Sequence, residues 1–220
     1  MNDQIECSVI QVEQYGVSLS VLGYPNDYIT QCMTKGRLYE SDLLGEIYRR
    51  YGKGGVYVDF GAFIGTHTMF FSKMCEADLV IAVEPNEMSY TILTENLKRN
   101  SISNVDAFNC AVGEKPHRGT PIKCGINEGT FGVMLSDGLQ GTIPIIAASA
   151  LITAPPKLIK IDCENSSLSV LHGCMPVILE HKPVIVIETD EMTTDELIKS
   201  AGYKLYDTFG QTPTNIYEPA

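Results

Sequence analysis

The run Val56-Tyr57-Val58-Asp59-Phe60-Gly61-Ala62-Phe63-Ile64-Gly65 constrains this chain more than any other stretch. A β-branched, apolar segment that ends on glycine reads as a buried strand running into a tight turn. Glycine lacks a Cβ and tolerates φ > 0, so Gly61 and Gly65 let the backbone come close to a ligand. Such a turn lies at the carboxyl end of a strand, where open α/β sheets bind their ligands. Further on, Val83-Glu84-Pro85-Asn86 closes the next candidate strand. An acid there is placed to accept hydrogen bonds from both hydroxyls of a ribose.

The turn chemistry narrows the ligand. A dinucleotide loop would read G-x-G-x-x-G and bring a helix N-terminus onto a pyrophosphate. Here Ala62, Phe63 and Ile64 fill the turn and Asp59 precedes it. That arrangement suits a ligand with a ribose, a cationic amino-acid end and no phosphate. S-adenosyl-L-methionine (SAM) has all three properties, which disfavours the rival reading of an NAD-binding or nucleotide-sugar oxidoreductase. An ordinary strand-to-helix turn would account for the glycines alone, but not for Glu84 at the end of the following strand. The expected cofactor contacts are Asp59, Gly61, Ala62, Gly65, His67, Glu84, Pro85, Asn109, Ala111 and Asp162, and no metal is expected.

Periodicity places this motif in an α/β domain. From Gly55 onward short β-branched runs alternate with amphipathic helix-length segments, as a parallel sheet with crossover helices requires. Strands are expected at 56–60, 79–84, 105–111, 157–162, 183–188, 203–208 and 214–217. Helices are expected from near Thr66, over 86–99, 166–181 and 193–201. The last two strands are too close in sequence for anything but an antiparallel hairpin. Residues 1–52, with a helix at 40–50, read as an N-terminal extension or cap to a domain over 53–220. Residues 112–156 are broken repeatedly by glycine and proline and read as an irregular insert of hairpins or a lid, with one strand at 143–146.

Composition then limits the partners. Sixteen basic against twenty-seven acidic residues give a formal charge of −11, which opposes the phosphate attraction on which nucleic-acid binders rely. No nucleic-acid partner is expected. No apolar run reaches the ~20 residues of a membrane span, and no basic segment precedes an apolar one at the start, so a cytoplasmic protein is expected. The seven cysteines are odd in number and scattered without a C-x-x-C pair, which reads as reduced thiols packed as small hydrophobes.

Over most of its length, from about Tyr28 to Pro219, the chain resembles the FkbM family of SAM-dependent methyltransferases. The resemblance is carried by G-R-L-Y-E (36–40), V-D-F-G-A-F-I-G-T-H-T (58–68), V-E-P-N-E-M-S-Y (83–90), N-x-A-V-G (109–113), L-I-K-I-D-C-E (158–164) and P-V-I-V-I-E (183–188). It implies a Rossmann-like class I methyltransferase fold, with a mostly parallel seven-stranded sheet, helices on both faces and a C-terminal antiparallel hairpin. It also implies O-methylation of a hydroxyl on a sugar or small molecule. Two stretches depart from the family pattern. Ala147-Ala148-Ser149-Ala150-Leu151 stands where an acidic L-D-D-L is usual, and Asn165-Ser166-Ser167 replaces Gly-x-Glu. These departures motivate a second reading, a SAM-binding module with weak or lost catalysis in a structural or regulatory role.

Methyl transfer asks mainly for alignment of acceptor and donor, and a base helps only if it can take the acceptor's proton. Asp162 and Glu164, just past one core strand, and Glu188, at the end of the next, are the candidates on the substrate side. Asp162 is expected to orient the acceptor or the methionine end of SAM, and Glu188 to act as base. His67 is expected to pack or hydrogen-bond; His117, His172 and His181 fall in loop or helix-surface contexts. The acceptor class is a small molecule or carbohydrate, and oligomerisation is left open.

Overall fold

The computed structural model describes residues 7–123, 131–136, 140–189, 191–210 and 212–220. The chain opens with the antiparallel hairpin β1 (Ser8–Gln14) and β2 (Val17–Gly23), followed by α1 (Tyr28–Met33) and α2 (Ser41–Tyr51). The alternating part follows as β3 (Val56–Phe60), α3 (Thr66–Lys73), β4 (Leu79–Val83), α4 (Glu87–Arg99) and β5 (Val105–Phe108). Residues 111–151 hold β6 (Ala111–Gly113), β7 (His117–Lys123), β8 (Phe131–Leu135), β9 (Ile143–Ala147) and α5 (Ala148–Leu151). The chain closes with β10 (Pro156–Ile161), α6 (Ser167–His181), β11 (Val184–Glu188), α7 (Met192–Ser200), β12 (Tyr203–Phe209) and β13 (Thr214–Pro219).

Seven strands form the main sheet in the order β12-β13-β11-β10-β3-β4-β5. The sheet is mixed. β10, β11, β3, β4 and β5 are joined by parallel pairings, but β13 runs antiparallel to both β11 and β12. The antiparallel hairpin expected at the end of the chain forms one edge of this sheet, with its strands out of chain order. Its second strand is inserted between β11 and β12, so one antiparallel strand lies inside the sheet.

Alternation along each strand separates two cores. Tyr57, Val80, Ala82, Leu158 and Val186 face Leu44, Phe70 and Leu93 of α2, α3 and α4. Val58, Phe60, Ile81, Ile159 and Ile185 face Val170, Cys174 and Ile178 of α6 and Ile198 of α7. Helices thus cover both faces. Val12, Leu19 and Val21 of the first hairpin belong to the first of these cores. The hairpin is fastened there by Asn96 of α4, whose Oδ1 accepts from Leu22 N (2.7 Å) and whose Nδ2 donates to Leu22 O (3.0 Å) and Ile64 O (2.8 Å).

Residues 111–147 build a separate four-stranded sheet, ordered β6-β9-β7-β8. The expected strand over 105–111 therefore splits. The core strand stops at Phe108, Asn109 turns its Nδ2 onto Glu84 O (2.9 Å) and Pro85 O (3.3 Å), and Ala111 starts the second sheet. The six described cysteines are all unpaired thiols; Cys124 lies outside the described residues. No described helix is long and apolar enough to cross a membrane.

Candidate functional site

The glycine turn is held by the neighbouring strand. Gly61 N and Ala62 N both donate to Val83 O at 3.0 Å, so the chain doubles back over the end of β4. Gly61 sits at φ +83°, and a Cβ there would come within 1.8 Å of Asp162 O. No other residue fits that contact. Phe63, also left-handed at φ 49°, presents its N–H to Glu84 Oε2 at 2.8 Å, while Asn86 N donates to Oε1 at 2.8 Å. Glu84 is thus gripped by one donor from each turn, and only 5% of it is exposed. Burial pushes its carboxyl up to about 7, against the pull of those two amides.

Behind the turn lies a buried set of charges. Lys160, one residue before the end of β10 and 2% exposed, is the direct register partner of Asp59 on β3. Its Nζ lies 3.4 Å from Asp59 Oδ1 and 3.2 Å from Asp162 Oδ2. Burial opposes the charge on Lys160, but Asp162, Asp59 and Glu40 together raise its pKa above the ordinary value. Asp59 Oδ2 accepts from Thr68 Oγ1 at 2.6 Å. Glu40, left-handed at φ 54° just before α2, approaches His67 Nε2 to 3.1 Å. Its burial would raise its pKa, yet His67 and Lys160 leave it below the usual carboxyl value.

Three clefts meet in front of these groups. The first, 490 Å³, is bounded by Tyr28, Tyr39, Glu40, Gly61, Phe63, Glu84, Asp162, Glu164 and Glu188. The second, 600 Å³ and largely apolar, lies between the glycine turn and the small sheet, against Pro85, Cys110, Ala111, Ile122, Phe131 and Ile145. The third, 520 Å³, opens beside α6 and shares Asp162, Glu164 and Glu188 with the first. Glu188 therefore forms part of the wall between two clefts. Burial, then the nearby charge of Asp162, pushes its carboxyl up to about 8, with Lys160 opposing. Glu164 is raised by the same two causes. Tyr28 and Tyr39 meet edge to face, with centroids 6.2 Å apart, at the entrance to the first cleft.

Of the residues expected from sequence, Gly61, Glu84, Pro85, Ala111, Asp162, Glu164 and Glu188 border the clefts. Asp59, Ala62, Gly65, His67 and Asn109 are not among their walls. Asp59 and His67 sit in the buried charge set, Gly65 begins α3 against Leu93, and Asn109 braces the end of β4. Sequence reasoning passed over Lys160, Glu40 and Tyr39. The available signal was a lysine in the middle of the apolar run Leu158 to Ile161, where a charge needs a buried partner. Among the described residues no three His, Cys, Asp or Glu side chains converge as a metal site would need.

One departure from the family pattern is conformationally conservative. Asn165, where glycine is usual, occupies φ 58°, the left-handed region that asparagine tolerates best after glycine. The other stretch, Ala147 to Leu151, ends β9 and forms α5, with Ala148 fully buried beneath α6.

No family model matches the sequence, and no curated protein matches it. Solved structures do match in three dimensions. Methyltransferase FkbM of Methylobacillus flagellatus KT superposes with a TM-score of 0.56 at 23% identity, over 77% of this chain and 44% of that one. The fold is that of solved methyltransferases. A methyltransferase of Pyrococcus furiosus gives 0.53 at 13% identity over 91% and 88% of the two chains. Precorrin-6y C5,15-methyltransferase of Geobacter metallireducens GS-15 gives 0.52 at 16% identity over 82% and 88%. The chain spans less than half the length of the FkbM structure it matches. The shared fold leaves the acceptor's class open, macromolecules included, so it lends no support to the expected absence of a nucleic-acid partner.

Proposed function

We propose that this protein is a SAM-dependent methyltransferase that methylates a hydroxyl on a sugar or small molecule. The observation that carries the reading is Glu84: a buried carboxylate fixed by the amides of Phe63 and Asn86, at the edge of a cleft entered by the glycine turn. Each of its oxygens keeps a lone pair beyond the one used by the backbone, which suits a ribose diol. The neighbouring apolar cleft, with Pro85, Cys110 and Ala111 in its wall, suits an adenine ring, and the carboxylates of Asp162, Glu164 and Glu188 suit a cationic amino-acid end.

When bound, SAM supplies an electrophilic methyl group on a sulfonium. The chain's own task is to exclude water, align the acceptor and remove its proton. Glu188 is the base in this reading, since it stands between two clefts and a carboxyl near 8 is a stronger base than an exposed one. Asp162 orients, and Glu164 stands farther along the same wall. The alternative of a SAM-binding module without efficient catalysis rests on Ala147 to Leu151, which offers no acid to the acceptor side. Calorimetry with SAM, S-adenosylhomocysteine and NAD tests the ligand: SAM and its product should bind, and NAD should not. Binding without methyl transfer to any of a panel of sugars, small molecules and peptides would favour the alternative.

A further inference from the structure

Packing alone does not explain the presence of Lys160, the cation at the centre of the buried charge set. An apolar residue at its position on β10, on the sheet face that Leu158 turns to the first core, would avoid the desolvation cost of a buried ammonium. Its Nζ instead stands between two carboxylates from different places: Asp59, inside the neighbouring strand, and Asp162, one step past the end of its own. Asp59 is fully buried and held from its other side by Thr68, so it cannot move. Asp162 is about one third exposed at its side chain and borders two clefts. Lys160 thus connects a fixed anchor to a group at the cleft wall.

We propose that Lys160 is a positioning residue: fastened to Asp59, it holds the Asp162 carboxylate in the orientation that receives the cationic end of SAM. This rests on the reading of the cleft as a SAM site. The charged groups facing Lys160 come from several elements: Asp59 on β3, Asp162 after β10, Glu40 before α2, Glu84 after β4 and Glu188 at the end of β11, with His67 on α3 one step behind Glu40. One ammonium thereby offsets several carboxylates at once. Without it the Asp162 side chain would lose its only hydrogen-bonded partner among the described residues, and the acids around the cleft would ionise less readily.

Removing a single partner of a buried ion pair strands the other and can unfold the protein. The test therefore uses Asp59→Asn alone and Asp59→Asn with Lys160→Met, which leaves no unpaired charge in the strand interior. Calorimetry with SAM on the folded variants, compared with the unaltered protein, is expected to show at least a tenfold further loss of affinity on adding Lys160→Met. Nuclear magnetic resonance titration of carboxyl-labelled glutamate is expected to move the Glu188 midpoint above its position in the Asp59→Asn protein. Affinity within twofold of Asp59→Asn, with an unmoved Glu188 midpoint, would overturn the role and leave Lys160 a structural residue. If the unaltered protein does not bind SAM, the cofactor reading fails and this role fails with it. If it binds SAM and only the double variant is indifferent, the failure belongs to Lys160 alone.

Discussion

Glu84 and Glu188 are both carboxylates at the ends of core strands, both are displaced upward by burial, and they are held in opposite ways. Two backbone amides clamp Glu84, one from the glycine turn and one from the start of α4. No described residue hydrogen-bonds the Glu188 side chain, whose ionisation is set by burial and by the charges of Asp162, Lys160, Glu40 and Glu164. The first is held in one place by the backbone. The second is adjustable, because a new charge in the cleft shifts it directly. A binding role suits the former and a proton-transfer role the latter.

The contrast breaks most visibly in turnover. Glu188→Gln keeps size and shape while removing the proposed base, and should lower methyl transfer by roughly 10²-fold, a larger effect on turnover than on SAM affinity. Turnover within threefold of the unaltered protein, measured on a true acceptor, would take Glu188 out of the mechanism. Glu84→Ala should do the reverse: it removes charge-assisted hydrogen bonds of about 1.5–3 kcal/mol, and calorimetry should register at least a tenfold loss of SAM affinity. Unchanged affinity in a folded variant would refute the ribose contact.

The smallest effect sharpens the same distinction through pH. Both groups bind protons more tightly folded than unfolded, so their stabilising contribution is complete below about pH 4.5 and is lost as pH rises, through about 7 for Glu84 and about 8 for Glu188. The melting temperature of the ligand-free protein should therefore fall by a few degrees, on the order of the shift that 1 kcal/mol produces, between pH 5.5 and 8.5. Glu188→Gln should flatten the upper part of that fall. A SAM cation binding near these acids favours their ionised forms, so its affinity should rise over the same interval. A melting temperature that climbs with pH in this range would contradict both displacements.

The half of the site around Glu84 was legible in the sequence because its determinants are local. Gly61, Gly65 and Glu84 are fixed by strand-and-turn grammar within thirty or so residues, and β3, α3, β4 and α4 follow from periodicity. The other half depends on strand order. Nothing in the spacing announces that β13 will insert between β11 and β12, or that Lys160 will register against Asp59 from about a hundred residues away. Glu40 was equally hidden, since it reaches His67 only through a left-handed residue ahead of α2. Over 112–156 only the strand at 143–146 was legible, for a third reason: proline and glycine sit within the strands, as at Gly119, Pro121 and Pro144, which lowers the strand signal without preventing a short, largely solvent-facing sheet.

The amide of Asn96 gives the first hairpin a larger part than its place at the start of the chain implies. That single side chain bonds the backbone of Leu22 on one side and the carbonyl of Ile64, inside the glycine turn, on the other. Peeling β1 and β2 away would free two of its three bonds and loosen the third, so the hairpin and the turn open as one cooperative unit rather than as separate segments. Any ligand that seats against the turn will therefore also slow amide exchange at Leu22, in the first hairpin.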